Sequence, residues 1–438
     1  MKLVKAGAVM AVVLAYTGCA TVKNDALSVK GTYSMHVGGY DWGSGTDRIT
    51  ISLTRPVDAV TEDTFTVVET KKAYDLTQKT FPLTVRDFSR TVTQTYLSDA
   101  AGAESSGPSK YVTLYLRCTP EEGSPFLYQF DTAKNVWDDP YELTVSLKSG
   151  AELTSGGVPV TSFAIDKKYA RKTTDADVFA FHTFAASNGE KYKYADYKPS
   201  GKTDKLVVWL HGAGEGGVPE GTGISDMAIT LLGNKVVPLA GKEFQSIVGG
   251  AVVLVPQCPT MWMDDGSGNY TKDGTSKYTA SLEELIEWYI KKSGASKVLL
   301  AGCSNGGFMT MNLIMRYPHV YTAAVPICDA YNNAWITDEM LGNIKDKPLF
   351  FIYSSDDTVV PPSDNEIPVI ARLRSMQAPN LHTHVSEHVT DLSGLYKGQD
   401  GNPYQYMGHW SWIYFFNNQA DSDDGNITVW DWMSAQVK

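Results

Sequence analysis

Basic residues are the scarcer charge in this chain: 38 Lys and Arg stand against 49 Asp and Glu, a net charge of -11. No cluster of Lys and Arg interrupts that balance, which excludes the phosphate-binding surface that a nucleic-acid partner requires. Apolar runs are short too. The stretch Ala6 to Ala15 is too brief to cross a bilayer comfortably. His382, His384 and His388 have a spacing that could seed a metal site, the first two on one strand face. No cysteine or acidic cluster completes a ligand shell beside them, so a surface strand is the better reading. Between residues 28 and 165 there is no convincing amphipathic helix, which excludes a helical fold for that third of the chain. What remains, at 438 residues and 43% hydrophobic composition, is a globular chain of about two or three domains.

The N-terminus is organised differently. Lys2 and Lys5 precede the apolar stretch, as in the core of a signal peptide, so residues 1–19 are expected to direct export. Tyr16-Thr-Gly-Cys19 resembles the lipobox of bacterial lipoproteins, departing from it at Tyr16. That resemblance implies lipidation of Cys19 and attachment to a membrane surface, with plain secretion as the alternative. Export permits disulfides among Cys118, Cys258, Cys303 and Cys328, but four thiols allow three pairings. Cys118 lies in phase with Val112, Leu114 and Leu116 and is expected to be a buried free thiol. A bridge between Cys303 and Cys328 is one open possibility.

From residue 25 to 168 short alternating strands dominate. Ile49, Ile51 and Leu53 alternate with Thr50 and Ser52, and Leu143, Val145 and Leu147 alternate with Thr144 and Ser146. A β-sandwich follows, immunoglobulin-like although it lacks the Cys…Trp…Cys pattern of antibody domains. From 175 to 438 strands alternate with helices, which predicts a mainly parallel sheet covered on both faces. Lys205–Leu210, Ala251–Val255, Lys297–Ala301, Tyr321–Ile327 and Pro348–Tyr353 read as strands buried on both sides. The clearest helix carries the apolar stripe Leu282, Leu285, Ile286, Tyr289 and Ile290, with Ser281 and Glu284 as a capping-box pattern, and Gly294 ends it.

The apolar run from Lys297 leads into Gly302-Cys-Ser-Asn-Gly-Gly307, and a helical pattern follows. In that strand–turn–helix context Gly-x-Ser-x-Gly is a nucleophile elbow, with Ser304 at its tip. A serine hydroxyl needs a base in contact, and the base needs an anion to hold its tautomer. Asp357 and His409 follow Ser304 in the required order, with Asp356 the rival acid; a turn cap is the ordinary use of either aspartate. The negative oxygen formed by attack needs two donors. The amide of Asn305 is one candidate, and Ala213 or Gly214 in the glycine-rich loop His211 to Gly217 supplies the other. His211 is expected to tie that loop down. Trp262, beside Asp264 and Asp265, and Trp335 are expected at the mouth of the site, beyond the carboxyl ends of the strands.

Together these motifs resemble the α/β-hydrolase superfamily, specifically bacterial carboxylesterases with an N-terminal immunoglobulin-like domain and a His-Gly-Ala-Gly-Glu loop. Polyhydroxybutyrate depolymerase-like and feruloyl esterase-like proteins have similar catalytic domains. The likeness covers residues 175–420 well and the N-terminal part in outline. It departs at Gly216, where relatives often have Arg. It implies a serine esterase acting on a small ester or an ester-decorated polymer, with no metal and no organic cofactor. A prolyl-oligopeptidase-like peptidase is the enzymatic alternative, disfavoured because propeller-like repeats are missing. A non-catalytic lipoprotein that binds polysaccharide or a partner is the other. No long apolar lid segment interrupts the strands, which argues against a lipase.

Overall fold

A computed structural model describes residues 27–217 and 226–438; the signal-peptide segment and Cys19 lie outside them. The first half is all β. One sheet runs in the order Thr154–Ser155, Val158–Ile165, Leu27–Tyr40, Gly43–Val57, Ser109–Leu116 and Val92–Ser98, with Arg171–Thr174 also pairing to Leu27–Tyr40. A second sheet orders Leu83–Arg90, Phe65–Tyr74 and Glu142–Leu147. The alternation read in the sequence explains the packing: Ile49, Ile51, Val112, Leu114, Leu143 and Val145 all point inward and are buried. A separate hairpin, Phe126–Gln129 with Lys134–Trp137, stands off both sheets.

The second half holds an eight-stranded sheet. Its strands in chain order are β1 (Ala180–Ala185), β2 (Lys191–Tyr197), β3 (Lys205–Leu210), β4 (Val252–Gln257), β5 (Lys297–Cys303), β6 (Ala323–Ile327), β7 (Leu349–Ser354) and β8 (Leu381–Ser386). They lie in the order β1-β2-β4-β3-β5-β6-β7-β8, antiparallel at β1, β2 and β4 and parallel from there on. Strand periodicity splits the buried residues between two cores. Leu206, Val208, Leu210, Val298 and Leu300 face one; Val207, Trp209, Leu299 and Ala301 face the other, which is continuous with the core of the sandwich. That shared core is why these strands carry almost no polar residue. The two halves also meet through the helix Met227–Gly233, packed on the strands Leu27–Tyr40 and Gly43–Val57, and through Lys235, whose ammonium bonds Asp41 at 2.7 Å.

Two expectations need correction. The helix α1 spans Thr279–Ser293 and begins before Ser281, so no capping box forms there. Ser281 instead meets the Tyr192 hydroxyl at 2.7 Å, and the Glu284 carboxylate accepts from the Ser187 amide and hydroxyl. Gly294, in left-handed geometry, does end the helix. Cys303 and Cys328 form no bridge: both are buried free thiols, as are Cys118 and Cys258. Cys303 pairs with Ile327 across β5 and β6, leaving Cys328 one residue out of register.

Candidate active site

The centre of the site is the corner between β5 and the helix α2 (Asn305–Arg316). Ser304 adopts φ 57° and ψ -116°, a conformation that L residues rarely hold, and its amide bonds Ile327 O at 2.9 Å. The corner is tight because three backbones converge on it. A Cβ on Gly302 would approach Gly306 O to 2.6 Å and Leu210 O to 2.8 Å, and one on Gly306 would collide with Leu210 O. Glycine is the only residue that fits at either position.

His409 arrives on a short 3-10 turn, Gly408–Trp410, and is 7% exposed. Its Nε2 lies 2.9 Å from Ser304 Oγ and its Nδ1 lies 2.7 Å from Asp357 Oδ2. A carboxylate only accepts, so the proton sits on Nδ1 and Nε2 faces the serine hydroxyl. Asp357 serves the turn after β7 as well: its other oxygen accepts from the amides of Val359 and Val360 at 2.8 and 2.9 Å. One oxygen thus caps the turn while the other holds the imidazole. Asp356 points elsewhere, accepting from Ser354 and pairing with His388 at 2.7 Å.

Ala213 opens a 3-10 turn, Ala213–Glu215, directly after β3, and Asn305 is the first residue of α2. First-turn amides have no acceptor within their own helix, so both point their free ends outward. These two residues, Gly214 and Ser304 all border one open cavity of about 870 Å³. His211 holds the loop in place. Its Nε2 accepts from the Cys258 amide at 2.9 Å, which leaves the proton on Nδ1 to donate to Gly212 O at 2.6 Å. Burial lowers the imidazole pKa to about 3, so it stays neutral. Gly216 packs so closely on Thr260 O that no Cβ fits, and a cation does reach this loop, from the other domain: Lys134 Nζ bonds Ala213 O at 2.8 Å and Thr260 O at 2.5 Å.

Trp335 lines the cavity, as expected. Trp262 does not. It is fully buried beneath the His211 loop, its indole N–H donating to His211 O at 3.1 Å and its amide to the Asn305 side chain, so its place at the mouth is corrected to a supporting one. Asp264 and Asp265 close turns, accepting from the amides of Gly266, Gly268 and Ser267; Met263 and Tyr270 from the same loop face the cavity instead. Sequence reasoning also missed Trp410 and Trp412, which flank His409, and the sandwich residues Phe126, Tyr128, Phe130 and Asn135. Aromatics at every second position from Phe126 to Phe130, along the first hairpin strand and into its turn, are the available signal. Their target could not be read, because it lies in another domain.

Behind the elbow two carboxyls are buried together. Asp329 follows β6 and Glu366 begins a helix; among the described residues, Asp329 Oδ2 and both Glu366 oxygens meet no hydrogen-bond partner in good geometry. Burial pushes Asp329 up to about 8 and Glu366 well above the usual range. The raised Asp329 value costs stability progressively as pH climbs from its unfolded value near 4 toward 8, since the folded chain then has to release or hold a proton the unfolded chain has already lost. Asp329→Asn keeps the acceptor for the Tyr331 amide and removes the charge. It is expected to raise the thermal midpoint at pH 8 and leave it unchanged at pH 4; an equal shift at both values counts against this reading.

Comparison with known proteins matches both halves of the chain to families. Residues 32–168 match the family model of the esterase Ig-like N-terminal domain, and residues 197–387 match that of phospholipases and carboxylesterases. The chain is a carboxylic ester hydrolase of the α/β-hydrolase superfamily. A thermostable esterase of known structure has the same fold over nearly its whole length, with a TM-score of 0.66 and 22% identity over 88% of this chain and 96% of that one. An esterase from Pyrococcus furiosus (TM-score 0.34, 16% identity, 48% of this chain and 84% of that one) and a ferulic acid esterase (0.35, 12%, 48% and 89%) also align with the hydrolase. No curated protein sequence matches the hydrolase significantly.

Proposed function

We propose that the hydrolase cleaves its esters through an acyl-Ser304 intermediate. Ser304 Oγ attacks the carbonyl carbon while His409 Nε2 takes the hydroxyl proton, and the carbonyl π electrons become the oxyanion. Collapse expels the alkoxide, which receives that proton from His409; water then repeats the sequence and frees the acid. Asp357 holds the Nδ1–H tautomer and stabilises the imidazolium. The amides of Asn305 and of Ala213 or Gly214 bind the oxyanion. The observation that carries this reading is the unbroken hydrogen-bond chain from Ser304 through His409 to Asp357, at 2.9 and 2.7 Å.

The cavity walls bear on substrate. Trp335, Met407, Trp410 and Trp412 on one domain, with Phe126, Tyr128 and Phe130 on the other, make a broad, largely apolar cleft that an acetyl ester would underfill. Esters with a bulky or aromatic group are the better fit. A series of p-nitrophenyl esters, aryl esters, acetylated sugars and short proline peptides tests both points: kcat/KM is expected to rise with apolar bulk and to be negligible for peptides. Peptide cleavage without ester turnover would overturn the proposal. We propose further that lipidated Cys19 tethers the exported enzyme to a membrane, a reading tested by fatty-acid labelling that Cys19→Ser abolishes.

A further inference from the structure

The loop that presents Ala213 and Gly214 is poorly held by its own bonds. Within its 3-10 turn, Glu215 N reaches Gly212 O at 3.5 Å and Gly216 N reaches Ala213 O at 3.4 Å, both at the weak limit of hydrogen bonding. Side chains hold it more firmly. In a trans peptide the N–H points opposite to the C=O, so fixing a carbonyl aims the next residue's amide. His211 Nδ1 fixes the Gly212 carbonyl at 2.6 Å and thereby the Ala213 amide. Lys134 Nζ fixes the Ala213 carbonyl at 2.8 Å and thereby the Gly214 amide.

Lys134 comes from the sandwich half, at the start of the hairpin strand Lys134–Trp137, and is only 8% exposed. Its second bond, to Thr260 O, ties the same loop to the segment after β4. The next residues along that strand act on the same region. Asn135 Nδ2 donates to the buried Glu215 carboxylate at 2.8 Å, and Trp137 Nε1 donates to Asp226, the cap of the helix Met227–Gly233, at 2.6 Å. Three residues of one four-residue strand thus bond Ala213, Glu215 and the helix cap Asp226. An ammonium donor to a carbonyl is a charge-assisted bond, stronger than the neutral bonds of the turn, and it polarises the peptide so that its N–H is the better donor.

We infer that Lys134 is a positioning residue for ester hydrolysis, by which the immunoglobulin-like domain aims and polarises the donor loop of the catalytic domain. The inference rests on the acyl-Ser304 reading. It acts in the transition state, where the oxyanion forms, and so belongs in kcat and not in KM.

The test compares wild type with Lys134→Met, each rate divided by the concentration of active sites titrated with a fluorophosphonate. Loss of a whole oxyanion donor lowers kcat by about a hundred- to a thousand-fold, so loss of its aim is expected to cost roughly ten- to a hundred-fold, with KM within about twofold. Affinity for a trifluoromethyl ketone, which forms a tetrahedral oxyanion on the serine, should fall in parallel, whereas affinity for the product acid should not. Where Lys134→Met folds poorly, Lys134→Ala assayed with added ethylammonium or propylammonium replaces it, and a saturable recovery of kcat is expected. A folded variant that keeps its kcat and its trifluoromethyl ketone affinity, or an alanine variant that no amine restores, overturns the role of Lys134 alone. A wild-type chain that neither labels nor turns over an ester overturns the acyl-serine reading and this inference with it.

Discussion

Replacing Ser304 by alanine is expected to lower ester turnover by at least about ten-thousand-fold while leaving the chain folded. The large effect follows from what the remaining groups can do. Without the hydroxyl, His409 and the loop amides still polarise a bound ester, but water has to attack unaided, and only the residual catalysis of binding and oxyanion stabilisation survives. The small effect on folding follows from the backbone. Alanine keeps the Cβ that makes φ 57° costly at this corner, so the strain is unchanged, and the lost Oγ contact is the single bond to His409 Nε2. The measurements are kcat under saturating ester, labelling by a fluorophosphonate and the thermal midpoint. A second comparison sharpens the result: the proposed mechanism makes the three groups one unit, so adding His409→Ala to Ser304→Ala should cost almost nothing more. Turnover within tenfold of wild type in a folded Ser304→Ala chain would exclude the acyl-enzyme route.

Among the described glycines, Gly306→Ala is expected to be one of the most damaging single methyl additions for stability. Helix propensity alone favours alanine over glycine by about 1 kcal/mol. Packing opposes it far more strongly, because the new Cβ would collide with Leu210 O and lie 2.6 Å from His211 O. Those are backbone atoms at the end of β3, which cannot rotate aside as a side chain would. Relief requires that β3 and α2 separate, so a loss of about 4 kcal/mol or more is expected, with a fall in midpoint of about 10 °C. Activity should fall as well, since the displaced carbonyls begin the donor loop. Gly342→Ala is the control: nothing lies within 4 Å of its Cβ position, and it should melt like wild type. A Gly306→Ala protein with an unchanged midpoint would show that the strand and helix are not in the contact described.

The residues proposed to carry the chemistry are legible because each is tied to local sequence. A serine between glycines two places away, after a buried strand and before a helix, has one steric solution, and the solution can be read from residue sizes. The same is true of the apolar strands, whose unbroken hydrophobicity reports two covered faces. Asp356 stands as a rival to Asp357 in the sequence, and only the folded hydrogen bonds separate them: Asp357 reaches His409, whereas Asp356 is occupied by Ser354 and His388. Legibility ended where partners are distant in the chain. Trp262 looked like a wall of the cleft because it follows a strand end, yet it is covered by the His211 loop, reached only by folding. Ser281 and Glu284 matched a cap by spacing, but Tyr192 and Ser187 from β2 and the turn before it compete for them. Lys134 carried no local signal, since its carbonyl partners lie 79 and 126 residues away.

Local sequence by itself therefore determined the two architectures, the elbow and the order of its partners, because strand period, glycine size and helix boundaries are properties of neighbouring residues. Tertiary structure alone decided how the donor loop is anchored, which aromatics face the cleft, and that the sandwich reaches the site at all. Those outcomes depend on hydrogen bonds and close packing between segments brought together from opposite halves of the chain, and such contacts leave no periodicity in the sequence to read.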